Sequence, residues 1–387
     1  MEIHRANEFY GHSDIIKQYL DFPKWRPLSV ALQHGWEPEA TVNKADLDSP
    51  LTELWVWSQR TKDQYDALGV KKDIRVVGAP FIYLPVKTIP GDEKQGTIVF
   101  PVHWTKNIDF IGDYEEYALA LKELPQEYFP ITVCLYYLDI EKGNARFFEK
   151  HGFKVISNGP PSKLNFLNNF ITNVSPYKYA TSNDIGTAAF YSINLDLKFF
   201  FYGPRFKIYN KSDRYEPLGS GEWYNNLCSN KLEQAWAYEN PKKFENQKEI
   251  SDAELGVDHK KTQKEMVDIL TSTDATIKNC LKALSLPQME RIFFSLYSEA
   301  SQHKKLKKFD LALEIFSYLL QLTEKDELNE VLEKYIAGSY FHRGEILFSL
   351  GEEEQGKILM KKCLEHNRSH KRAAGYLDKL NILTRSG

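Results

Sequence analysis

Short apolar runs alternate with helix-patterned stretches over the first part of the chain. Leu28-Ser29-Val30-Ala31-Leu32, Leu54-Trp55-Val56-Trp57 and Ile74-Arg75-Val76-Val77 read as strands, the last ended by Gly78-Ala79-Pro80. Thr61 to Leu68 reads as a short helix closed by Gly69. Strand, helix and strand with short connections predict a parallel α/β arrangement. Pro85 to Gly96, rich in Pro, Gly and charge, reads as a linker. A second series follows. Thr97 to Pro101, Ile131 to Tyr137, Phe153 to Ser157, Tyr179 to Thr181 and Leu197 to Tyr202 are expected strands. Asp113 to Glu123, Asn144 to His151, Lys163 to Val174 and Gly186 to Ile193 are expected helices. The nearly continuous apolar run from Ile131 suits a strand buried on both faces.

From about Ser251 the pattern turns helical, and from Met289 it reads as paired amphipathic helices. KKFDLALEIFSYLLQL and GEEEQGKILMKKCLEHN can be laid on each other, with Ala312 and Phe316 matching Gly356 and Met360. Before the second, Gly344, Leu347 and Gly351 sit where the first helix of a tetratricopeptide repeat carries its small and large residues. The offset exceeds that repeat's period of about 34 residues, so an insertion is implied; a plain bundle of helical hairpins is the alternative. The expected organisation is an α/β lobe over 1–85, a linker over 86–96, a second α/β lobe over 97–258, a helical connector over 259–288 and repeat-like helices over 289–387.

Composition narrows the function classes. A length of 387 residues predicts two or three domains. Aromatics at 13% argue against disorder. Fifty basic against 53 acidic side chains leave a net charge of -3, so no global field draws the chain to nucleic acid or an anionic membrane. The first 25 residues lack an apolar stretch behind a basic start, and no apolar run is long enough to span a bilayer. Cys134, Cys228, Cys280 and Cys363 are far apart, which predicts reduced thiols rather than a disulfide framework or zinc site. These features together predict a cytoplasmic protein. The run His303 to Lys308, with four lysines, can touch anionic lipid at the inner membrane face or be a solvated turn.

Three motifs follow expected strands at their carboxyl ends, where ligands sit in open α/β sheets. Gln33-His34-Gly35-Trp36 puts an imidazole on a tight turn, and its ordinary pKa suits general-base work. Glu37 and Glu39 follow and can orient it, or be solvated loop residues. Phe100 to Lys106 offers His103, Thr105 and Lys106, groups that contact phosphate, or else a polar loop. Thr181-Ser182-Asn183-Asp184-Ile185-Gly186-Thr187 opens a helix, whose free N–H groups and positive dipole end attract anions. An ordinary N-cap needs only one of those residues. Phosphate-loop, dinucleotide, hydrolase-elbow and zinc-protease signatures are absent. Asp46 and Asp48 form a D-x-D with no strand in front, and are expected to be solvated rather than a metal clamp.

With these motifs in order, residues Met1 to Asp258 resemble the GT-B glycosyltransferases, two Rossmann-like lobes facing each other across a cleft. More narrowly the chain resembles bacterial transferases that build capsule, lipopolysaccharide or teichoic-acid polymers. VALQHGW is similar to the strand–His–Gly turn of polyglycerol-phosphate transferases, which implies that His34 is the base. TIVFPVHWT resembles the segment of CMP-sugar transferases whose His contacts donor phosphate. YATSNDIGTAAFYSINLDLKFFFYG resembles the strand–helix–strand element that holds that phosphate in both groups. Two departures stand out: the first lobe is small, and Trp104 rather than Pro follows His103.

The resemblance implies an inverting, metal-independent transferase with no cofactor beyond a nucleotide-sugar co-substrate. The donor would lie on His103, Thr105, Lys106, Asn158, Gly159, Thr181, Ser182, Asn183, Gly186 and Thr187. The catalytic pair would be His34 and Glu37, and Trp36 and Glu39 would meet the glycan acceptor. Trp36, Trp55, Trp57 and Trp104 are candidates to pack against sugar rings, with core packing the favoured reading for Trp55 and Trp57. A nucleotide-activated alditol phosphate is an alternative donor. A third reading is an inactive α/β body carrying a helical adaptor, in which His34 and His103 would not face one cleft. The helical tail is expected to bind a protein partner or a second copy.

Overall fold

The computed structural model describes residues 2–37, 42–86, 90–103, 108–163, 165–210, 215–216, 221–222, 230–270, 284–322 and 330–385. Their contacts divide into two units, His4–Phe22 with Val30–Leu270, and Met1–Ile3 with Pro23–Ser29 and Thr271–Gly387.

The first unit is mixed α/β. Its described elements begin with a 3-10 turn, Arg5–Gly11, and α1 (His12–Leu20). Then come β1 (Ala31–Leu32), β2 (Val42–Asn43), α2 (Lys44–Leu47), β3 (Glu53–Val56), α3 (Gln59–Ala67) and β4 (Asp73–Val76). β1, β3 and β4 pair in parallel, with Ala31 opposite Leu54 and Leu54 opposite Ile74. The alternation of apolar runs and a Ser58-capped helix thus yields the predicted parallel arrangement. The first strand is shorter than its apolar run: it begins at Ala31, and Leu28 and Ser29 group with the other unit.

The second sheet is built from β5 (Thr97–Val99), β7 (Ile131–Cys134), β8 (Lys154–Ile156), β9 (Tyr179–Ser182) and β10 (Lys198–Phe201), following β6 (Ile108–Ile111) where the chain order requires it. Between them run α4 (Tyr114–Lys122), α5 (Tyr137–Glu141), α6 (Arg146–Glu149), α7 (Phe166–Val174) and α8 (Thr187–Asn194). All four pairings are parallel, in the order β8-β7-β5-β9-β10. Counted within the sheet that is 3-2-1-4-5, an order that reverses direction between β5 and β9. Leu121, Val133, Phe148 and Phe200 are fully buried in the core this sheet carries. Each such side chain contributes about 1.5–3 kcal/mol by leaving water.

Three expectations need correction. Pro85 to Gly96 is not a free linker in its described part: Lys94 is buried, its Nζ donating to the Leu195 carbonyl at 2.6 Å, and Gln95 N–H reaches Pro176 O. The apolar run from Ile131 stops being a strand at Cys134, and Tyr137 already begins α5. Asp46 is not solvated. It sits in α2 directly after β2, is 0% exposed, and bonds His4 Nε2 at 3.1 Å and Tyr65 Oη at 3.2 Å. Sequence patterning also missed an antiparallel sheet, where β6 pairs with β11 (Lys207–Asn210), itself paired with Gly221–Glu222.

Tyr215–Glu216 pairs antiparallel with β2, and the described helices that follow in this unit include α9 (Asn230–Trp236) and α10 (Gln247–Leu255). In the other unit lie α11 (Leu286–Lys305), α12 (Phe309–Gln321), α13 (Glu330–Ser349), α14 (Glu353–His366) and α15 (Lys371–Arg385). Three-residue connections fold α11 onto α12 and α13 onto α14. A Cβ on Gly344 would come within 2.8 Å of Met360 and 3.2 Å of the Gly356 carbonyl, so small residues let α13 and α14 approach closely. Ala312 and Phe316 are buried, as are Gly356 and Met360, the residues matched in sequence. Lys304, from the lysine run, is engaged with Glu345 and His342. Among the described residues no helix is long and apolar enough to cross a membrane.

Candidate functional site

Strands of both parallel sheets, β1 and β3 of one and β5, β7, β8 and β9 of the other, end at one cavity of about 280 Å³. It is lined after β1 by His34 and Gly35, after β3 by Trp57, after β5 by Phe100 to His103, and after β7 by Cys134 to Tyr136. Ser157 to Gly159 follow β8, and Ser182 and Asp184 to Ala189 run from β9 into α8. Tyr10, three residues of α7 and Tyr191 complete the wall. The cavity therefore includes the β5/β9 reversal, the position where open α/β sheets bind ligands.

His34 is half-buried. Phe9 meets its ring edge-on at 5.1 Å and Tyr10 lies 5.3 Å away. Its turn is braced by Gln33, a fully buried amide whose Nε2 donates to Gly35 O at 2.7 Å while its Oε1 accepts from Trp57 N–H at 2.8 Å. One side chain thus ties the end of β1 to the end of β3. His103 is exposed, its ring stacked on Tyr136 at 4.2 Å.

Gly186 caps α8, and Gly186, Thr187 and Ala188 all line the cavity. First-turn amides have no acceptor within their own helix and carry the positive end of its dipole. A Cβ on Gly186 would meet nothing within 4 Å, so the approach to this helix start is open. Ser182 Oγ donates to Phe100 O at 2.6 Å and accepts from Asp184 N–H at 3.2 Å, joining β9 to β5. Asp184 Oδ1 accepts from Ile185 N–H at 2.7 Å and lies 3.4 Å from the Arg205 guanidinium, which also pairs with Glu233. Burial pushes the Cys134 thiol up to about 12, so this lining residue is a neutral thiol at ordinary pH.

Of the residues singled out by sequence, the structure brings His34, His103, Asn158, Gly159, Ser182, Gly186 and Thr187 to this cavity. Others go elsewhere. Thr181 is buried between strands and donates to Phe200 O at 2.7 Å. Asn183 is a brace, its Oδ1 accepting from Val102 N–H and its Nδ2 donating to Pro204 O. Trp36 packs on Phe190 at 5.1 Å, and its indole N–H donates to Glu254 at 2.6 Å. Its backbone N–H donates to Thr187 Oγ1 at 3.1 Å, linking the His34 turn to the start of α8. Glu37 is 3% exposed and faces Tyr65 and Asp46 rather than the cavity, and burial and the nearby Asp46 charge raise its pKa well above the carboxylate range. Glu39, Trp104, Thr105 and Lys106 lie outside the described residues.

Sequence reasoning missed Tyr10, Tyr136 and Tyr191, and favoured a core role for Trp57, which is buried and also lines the cavity. Trp57 and Tyr136 follow strands and were open to the same strand-end argument as His34. No local signal marks Tyr10 or Tyr191, which the fold brings in from distant segments. Among the described residues no group of three His, Cys, Asp or Glu side chains is placed to hold a metal ion. No family model, curated protein or solved structure matches the chain.

Proposed function

We propose that the chain is a nucleotide-sugar-dependent glycosyltransferase of the GT-B kind, moving a sugar to a hydroxyl of a surface-polysaccharide or other glycan acceptor. One observation carries the reading. Two strand-end imidazoles, His34 and His103, come from different parallel sheets and line a single cavity beside an open helix start. An inactive adaptor gives no reason for that convergence.

The three-stranded sheet is read as the acceptor side and the five-stranded sheet as the donor side. His34 takes the proton of the attacking hydroxyl, whose oxygen bonds the anomeric carbon as the bond to the donor phosphate breaks. The electron pair leaves on phosphate oxygen. A single displacement inverts the anomeric centre. The reading assigns the leaving phosphate to the first-turn amides of α8, the Thr187 hydroxyl and His103, with Ser182 holding β9 against β5 behind them, in a setting without a metal. Aromatic walls at Tyr10, Trp57 and Tyr136 suit sugar rings. A cytoplasmic enzyme at the inner face of the membrane is the matching location, and the repeat-like helices are read as the contact with a protein partner or a second copy.

The test is thermal-shift screening of the full chain against UDP-, GDP-, CMP-, CDP- and dTDP-linked sugars and CDP-linked alditols. A donor that binds only the folded chain raises Tm with concentration. The reading expects one nucleotide class of sugar donor to do so. A shift with alditol donors alone moves the reaction to alditol-phosphate transfer, and no shift with any donor contradicts both.

A further inference from the structure

Trp36 does not line the cavity, yet it ties the turn that carries His34 to α3, α8 and α10. Its backbone N–H donates at 3.1 Å to Oγ1 of Thr187, the first residue of α8. Its indole N–H donates to Glu254 of α10 at 2.6 Å, and its ring packs on Phe190 of α8. Arg60 of α3 grips the same Glu254 carboxylate from Nε at 2.8 Å and from Nη2 at 2.7 Å. The guanidinium also lies 5.5 Å from the Trp36 ring and donates from Nη2 to Glu37 O at 2.8 Å. A forked Arg–carboxylate pair fixes direction as well as charge. Here it clamps an indole two residues after the imidazole.

Thr187 is where this clamp meets the cavity. A hydroxyl offers one proton and two acceptor positions. Thr187 Oγ1 accepts from Trp36 N–H, and among the described residues its own proton meets no acceptor, so it is left for a ligand in the cavity that Thr187 lines. A Cβ on Gly35 would come within 3.5 Å of Thr187 Oγ1, so turn and hydroxyl are close neighbours. Hydrogen bonds in a chain polarise one another, and a hydroxyl that donates to an anion becomes a stronger acceptor. An anion on Thr187 therefore tightens the Trp36 N–H bond, and with it the turn behind His34.

We propose that Trp36 and Glu254 are positioning residues that couple an anion on Thr187 to the setting of His34. The coupling runs through the backbone of the turn rather than the imidazole, so loss of the imidazole leaves the anion side intact. The inference rests on the transferase reading in taking that anion as the donor's phosphate and His34 as the base. In that reaction the base is set when a donor is in place. Coupling between sites is reciprocal, so whatever loosens the Trp36 clamp weakens anion binding.

The experiment titrates the full chain with inorganic pyrophosphate, read by calorimetry and by the NMR signal of His34 Cε1–H, assigned by its loss in His34→Gln. The wild type is expected to bind pyrophosphate and to shift that signal. Thr187→Val keeps the side chain's shape and removes the hydroxyl. It is expected to bind about tenfold more weakly, as loss of a hydrogen bond to a charged group implies, and at saturation to leave the His34 signal in its ligand-free place. Glu254→Gln removes a negative charge and frees Arg60, which by charge alone strengthens anion binding. The coupling predicts the opposite sign, binding about threefold weaker. Trp36→Phe keeps a ring on Phe190, removes the indole N–H and leaves every charge in place. It is expected to weaken binding by a similar factor, and it answers the question should Glu254→Gln fail to fold. Equal or tighter binding in either folded variant overturns the inference. So does a His34 signal that stays still in the wild type or moves equally in Thr187→Val, and so does failure of pyrophosphate to bind. Thermal shifts with nucleotide-sugar donors on the same proteins separate the two ideas. Donors that raise Tm while Trp36→Phe binds pyrophosphate like the wild type leave the transferase reading standing and sink the coupling. Pyrophosphate binding that moves His34 and weakens in both variants, while no donor raises Tm, keeps the coupling and sinks the transferase reading.

Discussion

The two walls of the cavity present the same side chain in different ways. His34 is half-buried, flanked by Phe9 and Tyr10, on a turn braced at both ends by the buried Gln33 amide. His103 is exposed and stacked on one ring, Tyr136. An imidazole fixed in apolar surroundings suits a proton acceptor that must meet one oxygen in one geometry. An exposed one beside a helix start suits charge contact with a ligand that arrives and leaves. The difference teaches that residue type names the available chemistry, while packing decides which part of it a position can carry.

Substitution at each wall should therefore fail in a different way. The largest effect is expected for His34→Ala, which should lower sugar-transfer turnover by on the order of a hundredfold or more, measured by product formation at saturating donor. A variant that keeps near-normal turnover would erase the distinction between the walls. His103→Ala should raise the donor KM by about tenfold, as loss of a hydrogen bond to a charged group implies, and leave the acceptor KM unchanged. Reversed effects would exchange the two assignments.

Gln33→Ala probes the bracing itself. It leaves Trp57 N–H and Gly35 O without their buried partner, and should cost about 1–3 kcal/mol of stability in denaturant unfolding. If stability is unchanged, the His34 turn is held by something else. The smallest effect concerns Glu37. Because its pKa is raised by burial and by Asp46, its contribution is present below the ordinary carboxylate value of about 4.3 and is lost as pH rises through the folded-state value. Glu37→Gln should flatten that fall, so that wild type loses stability relative to the variant on going from acid to neutral pH. Glu345, in the helical unit, gives the opposite sign. Burial alone would raise it, but hydrogen bonds from His342 and Lys304 and the charges of Lys304 and Arg372 hold it at about 2. Its contribution is present above about 4.3 and is lost as pH falls toward 2. Thermal unfolding from pH 2 to 8 for Glu37→Gln and Glu345→Gln reads both slopes.

The parallel strands were legible because nearly continuous apolar runs such as Ile98 to Phe100 and Ile131 to Leu135 have few other uses in a chain of this composition. The strand-end rule then found His34, His103 and the Gly186 helix start. What it could not read was the destination of groups whose partners are remote in sequence. Asp46 looked like a solvated loop residue because nothing near it announces His4, 42 residues away, or Tyr65, 19 residues away. Glu37 and Trp36 follow the catalytic candidate so closely that proximity suggested a shared site. The turn instead directs Trp36 to Phe190 and Glu254, and Glu37 to Tyr65. The antiparallel pairing of Ile108–Ile111 with Lys207–Asn210 depends on a contact across about a hundred residues that local periodicity does not encode.

The central claim is that one cavity carries a base on one wall and donor contacts on the other. Calorimetric titration of a nucleotide-sugar donor into wild type, His34→Ala and His103→Ala tests it most directly. The account predicts a Kd for His34→Ala equal to wild type and one about tenfold weaker for His103→Ala. Loss of donor binding in His34→Ala as great as in His103→Ala would contradict the division between the walls.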